Sequence, residues 1–270
     1  MSREQNREYL RSLRRRSLWV SLPIIALSLW YIASQLGDGL RFLDHKDALV
    51  FLGMLALMAG FVWWMMQRMA RKMARALRSP TPDELLQSIE RSFKMARIPD
   101  KEAFVAGTRA VALSLYGEGD RAREALAGVD WHRLAPLVQA QSYAAQSLIA
   151  LLCDGDFAQG LRDAERARSL AGVDAGTVGA KASDRFYGTV VALAQVFADD
   201  KVATTLPTLE ASTKAMLFPT LRAIAMAGLA VDAHQSGDSD RFRARRSQLA
   251  AFAPQLEALL FGRSEPPPVA

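Results

Sequence analysis

The side chains best suited to chemistry in this chain are its single cysteine, Cys153, and its three histidines, His45, His132 and His234. A thiol beside an imidazole can serve as nucleophile and base. Cys153, however, ends the apolar run Leu148-Ile149-Ala150-Leu151-Leu152, so a small buried thiol is expected. One cysteine excludes an intrachain disulfide, and histidines this far apart in sequence supply no metal framework. Gly117-x-Gly119-x-x-Ala122 matches a loose dinucleotide fingerprint. That motif needs a strand before it, and the pattern before Gly117 is helical, so a turn is expected there. Asp154-x-Asp156 and Asp238-x-Asp240 begin like calcium loops but lack the later ligands and the glycine; they predict turns and N-caps. Walker, HExxH, G-x-S-x-G and S-x-x-K motifs do not occur. The expectation is a protein that is not an enzyme and has no cofactor or metal.

The elements that hold these residues divide the chain by charge. Residues 1–78 carry 13 Lys/Arg and 5 Asp/Glu, and residues 79–270 carry 21 and 23. The basic excess is therefore N-terminal, which argues against nucleic acid as a partner of the C-terminal part. Residues 17–36 and 48–67 are two uncharged runs of 20 residues each. As helices each would be ~30 Å long, the thickness of a bilayer's hydrocarbon core. Trp19, Trp30, Tyr31, Trp63 and Trp64 lie near their ends, where aromatic rings favour the headgroup level. The first run is too long for the apolar part of a cleaved signal peptide.

Arg3, Arg7, Arg11, Arg14, Arg15 and Arg16 precede the first run, and the short loop 37–47 is poor in basic residues. Arg68, Arg71, Lys72, Arg75 and Arg78 follow the second run. The positive-inside rule then predicts an integral membrane protein with both termini cytoplasmic, as in a bacterial inner membrane. These five residues recur at i, i+3, i+4 and i+7, one basic helical stripe suited to anionic lipid headgroups at about 1 kcal/mol each. Gly53, Ala56 and Gly60 form a small-residue face that predicts close helix packing in the membrane, within the hairpin or with a second copy of the chain.

Ser79-Pro80-Thr81-Pro82 breaks the helix, and beyond it the chain reads as all-α. Punctuation predicts helices at about 82–97, 101–116, 120–128, 136–153, 156–172, 183–198, 201–217, 219–235, 239–252 and a short one after Pro254. Residues 263–270, with three consecutive prolines, predict a disordered tail. Gly119-Asp120, Gly155-Asp156 and Gly237-Asp238 each separate two helices, with Asp199-Asp200 near the middle of the longer interval. A helix–turn–helix period near 34–44 residues is the signature of an α-solenoid.

The segment Gly155-Asp156-Phe157…Leu161…Ala164…Ala167…Leu170 resembles the second half of a tetratricopeptide repeat, with Leu148 and Leu151 on apolar positions of the helix before it. Gly160 takes the place of the usual small residue, and Ala164 replaces a later aromatic. The resemblance implies a tetratricopeptide-like (TPR-like) solenoid over residues 79–262, with a generic bundle of αα-hairpins as the alternative. It also implies that Gln139, Ser142 and Gln146 line a concave partner groove. The predicted architecture is a basic arm (1–16), a transmembrane hairpin with a basic juxtamembrane helix (17–78), and the helical domain. The expected function is a membrane-anchored scaffold or adaptor that binds a protein partner. The alternative is a membrane subunit of a transport or secretion complex, in which the hairpin carries the function.

Overall fold

The computed structural model of the chain describes residues 45–94, 100–172 and 178–262, with backbone alone at 45–52, 55 and 178–182. The basic arm, the first apolar run, most of the connecting loop and the tail 263–270 lie outside the described residues. The helices are α1 (His45–Ala76), α2 (Asp83–Lys94), α3 (Lys101–Ser114), α4 (Gly119–Ala127), α5 (Pro136–Ile149), α6 (Phe157–Ala171), α7 (Val178–Phe197), α8 (Thr205–Thr213), α9 (Pro219–Gln235), α10 (Ser239–Phe252) and α11 (Pro254–Phe261). Among the described residues there is no strand, so the fold is all-α.

Helices α3 to α10 form four helix–turn–helix units. In each, one residue between the two helices takes left-handed backbone: Gly117, Gly155, Asp199 and Gly237, at φ of 75°, 71°, 53° and 73°. These positions are 38, 44 and 38 residues apart. Each turn must satisfy the carbonyls that end one helix and the N–H groups that start the next. At Gly117 the Glu118 N–H donates to Leu113 O at 3.1 Å, and at Asp199 the Asp200 N–H donates to Gln195 O at 2.9 Å. Glycine at such a site avoids the Cβ penalty. At the second and fourth turns the following aspartate supplies the N-cap. Asp156 Oδ1 accepts from Gln159 N–H at 2.9 Å, and Asp238 Oδ1 from Arg241 N–H at 3.0 Å.

Several sequence expectations are sharpened or corrected. Within the turn expected at 117–119 the left-handed residue is Gly117, while Gly119 opens α4 against Cys153. Helix α7 starts at Val178, five residues before the start expected at 183. Helix α8 is shorter than expected and carries Pro207 in its first turn, where no N–H is needed. The helix expected over 136–153 is present, as α5 followed by a π-helical turn at Ala150–Asp154 that Gly155 closes.

Each unit packs its two helices together and stacks on the next. Buried alanines at 145, 164, 194, 223 and 227 let neighbouring backbones approach closely. The ends of the array meet. Helix α1 packs on both α2 and α9, and Tyr116 Oη, at the end of α3, donates to Ala76 O at 2.9 Å. A Cβ at Gly117 would sit 2.9 Å from Leu259 of α11. One buried cluster therefore runs from Leu77, Leu85 and Ile89 through Val111, Leu148 and Leu193 to Ile224, Leu249 and Leu256. An open solenoid with neighbour contacts alone does not describe this domain. The packed unit also reaches back past the boundary expected at residue 79, since Ala70, Ala76 and Leu77 are buried.

Candidate functional site

Helix α1 changes character along its length. Met54, Leu57, Met58, Phe61, Val62, Trp63, Trp64, Met65, Met66 and Met69 are exposed on every side, Leu57 to 76%. A soluble chain rarely leaves so continuous an apolar surface to water. From Ala70 onward one face is covered by the domain, through Ala70, Ala76 and Leu77. Arg68, Arg71, Lys72 and Arg75 of this helix are exposed, as is Arg78 in the turn just beyond it. The Arg68 guanidinium lies 5.3 Å from the Trp64 ring centroid, which joins the basic stripe to the aromatic end of the apolar segment.

Gly53 and Gly60 have open space where a Cβ would project, and Ala56 is exposed. The small-residue face thus has no packing partner among the described residues. No helix among the described residues is long and apolar enough to cross a membrane. The second apolar run begins at Ala48, before the first described side chain at Gly53, and the first run lies wholly outside.

The three expected groove residues do not share one fate. Gln146 is exposed. Gln139 is half-buried, and its side-chain amide donates to Leu134 O at 2.8 Å. Ser142 is buried at 3% exposure and donates to Gln139 O at 2.8 Å. A short hydroxyl satisfied by its own helix can be buried at little cost, so Ser142 is not a surface contact. Gln146 instead lines a depression of about 500 Å³ between the first two units, with Trp131, Asp154, Gln159 and Asp163. Arg123 bridges its rim to Asp154 and to Asp120.

Asp163 is the depression's buried carboxyl, 7% exposed, and accepts from Gln159 Nε2 at 2.9 Å. Burial pushes its pKa above the usual carboxylate range, against the pull of the Gln159 bond and nearby Arg162. The spacing of Gln159 and Asp163, one helical turn, was the available sequence signal. An acid held above its unfolded value destabilises the fold once pH exceeds both values, and protonation relieves this. Asp163→Asn is therefore expected to raise the Tm at pH 7.5, with the difference shrinking at pH 4.5; thermal melts at the two pH values check this.

The thiol of Cys153 is half-buried and points toward Ser114 O at 3.9 Å. Burial, with Asp154 nearby, pushes its pKa up to about 11. A thiol so raised stays protonated at neutral pH and is a poor nucleophile. Maleimide should label Cys153 slowly at pH 7.5 in the folded chain and readily in denaturant. His234 is held in an aromatic cluster, 4.9 Å from Phe242 and 5.9 Å from Phe261 by ring centroids.

The cluster Arg241, Arg243, Arg245 and Arg246 is largely neutralised within the domain. Arg241 pairs with buried Asp232 at 3.4 Å, Arg243 with Asp240 at 3.3 Å, and Arg245 with Glu210 at 3.5 Å. Arg246 pairs with buried Glu257. Each of the four arginines therefore has an acidic partner within the domain. No family model, no curated protein and no solved structure matches this chain.

Proposed function

We propose that the chain is a membrane-anchored interaction protein that holds its helical domain at the cytoplasmic surface of a bilayer. The observation that carries this reading is the all-round apolar exposure of α1 from Met54 to Met69, ended by Arg68, Arg71, Lys72, Arg75 and Arg78. Apolar side chains on every face suit lipid, and a basic collar suits the headgroups of an anionic leaflet. The two N-terminal apolar runs would form a hairpin. The open face at Gly53, Ala56 and Gly60 would take the first run or a second copy of the chain. Docking of α1 onto the domain fixes the domain's distance from the membrane. The function is then recruitment, because tethering raises the effective concentration of a bound protein without chemistry. The depression at Gln146 is the part of the expected groove that remains open to such a partner. Reporter fusions test the topology. A fusion at residue 270 should be active only with a cytoplasmic reporter, and one within 37–47 only with an exported reporter. An active exported reporter at residue 270 would overturn the orientation.

A further inference from the structure

A second depression, of about 480 Å³, lies where the end of α1 meets α8, α9 and α10. Arg78, Arg222 and Arg245 line it with Thr213, Gln248 and Phe252, and none of its lining residues is acidic. Arg222 is half-buried, with its guanidinium carbon 4.7 Å from the Phe252 ring centroid. Its Nε is buried and has no hydrogen-bond partner among the described residues. Arg245 meets a carboxylate only at the rim, where Glu210 lies 3.5 Å away and is itself half exposed. Arg78 is exposed and has no ion pair among the described residues.

A buried Nε left without a hydrogen-bond partner is costly, and an anion bound at this half-buried guanidinium would relieve that cost. Arginine forks match phosphate oxygens two at a time, and the ring under Arg222 holds its fork in one plane. The volume exceeds that of a bare phosphate and suits a phosphate ester with a small organic body. We infer that this depression binds a phosphate-bearing anion, gripped by Arg222 and Arg245 and closed at one side by Arg78. The site does not depend on the membrane reading. The end of α1 at Ala76 lies eight residues past Arg68, ~12 Å along the helix, and Arg78 follows in the turn beyond it. A soluble phosphate ester and a lipid headgroup share the required chemistry.

The test uses the full chain in neutral detergent, titrated calorimetrically with inorganic pyrophosphate at constant ionic strength. Saturable binding is expected, weakened at least about tenfold in Arg222→Gln and in Arg245→Gln. It should be unchanged in Arg243→Gln, whose side chain does not line the depression. Circular dichroism checks that each variant is folded; if Arg222→Gln is not, the less buried Arg245→Gln carries the comparison. Displacement of pyrophosphate by phosphatidylglycerol vesicles, and not by phosphatidylcholine vesicles, would make the ligand a lipid headgroup. Failure of both to displace it would make the ligand a soluble phosphate ester. Absence of saturable binding would overturn the inference. So would equal affinity in wild type, Arg222→Gln and Arg245→Gln, or equal weakening in Arg243→Gln.

Discussion

Leu151→Asp is expected to cost at least about 4 kcal/mol, a large part of the stability of a domain this size. Leu151 is 3% exposed and lies in the π-helical turn that ends α5. Its side chain fills the space over Gly160, where a Cβ would stand 2.5 Å from Leu151 Cδ2. Ser147 Oγ beside it donates to Gly160 O at 2.8 Å, so the two helices of the second unit meet with little room between them. A carboxylate placed there would be held away from water between the two helices. Hydrogen exchange should show protection lost first across residues 119–197. Residues 219–252 should be affected less, because the second unit packs mainly on its neighbours. An exposed change at Gln146→Ala, by comparison, should cost at most about 0.5 kcal/mol.

Leu77→Ala is expected to cost about 3 kcal/mol, from lost burial and the cavity left behind. Leu77 is 2% exposed and belongs to the cluster that joins Val111 and Leu115 of the first unit to Ile224 and Phe252 of the last. Here the damage should spread differently. Protection should fall at both 101–116 and 219–252, while 136–171, in the middle of the array, retains more. A loss confined to one end would mean that the closure at α1 contributes little. Leu77 also links the apolar segment of α1 to the domain, so this variant should loosen the domain from that segment without altering the segment itself.

The legible parts of the fold were those written locally. Gly155-Asp156 and Gly237-Asp238 announce themselves because one residue suits the left-handed turn and the next suits the N-cap. Pro136 and Pro219 open helices where their missing N–H groups cost nothing. Leu148 and Leu151 were assigned to the core by spacing, and both are buried. The first turn lies where glycines flank Glu118 on both sides, and only backbone geometry selects Gly117 as its left-handed residue.

What long-range packing decides was not legible. Ser142 shares a helical stripe with Gln146, yet a neighbouring helix covers one and not the other. Arg241, Arg245 and Arg246 meet Asp232, Glu210 and Glu257, partners no local pattern connects to them. The return of α1 and α11 onto the first unit is of the same kind. So is the meeting of Arg78, Arg222 and Arg245, which lie far apart in sequence.

The central claim is that the apolar segment of α1 sits in lipid while the domain remains outside it. Extraction of membranes from expressing cells with alkaline carbonate tests this most directly. Integral segments resist it, and proteins held only by charge or by other proteins are stripped away. The full chain should stay in the membrane pellet and leave it only with detergent. Release of the chain into the carbonate supernatant would contradict that claim.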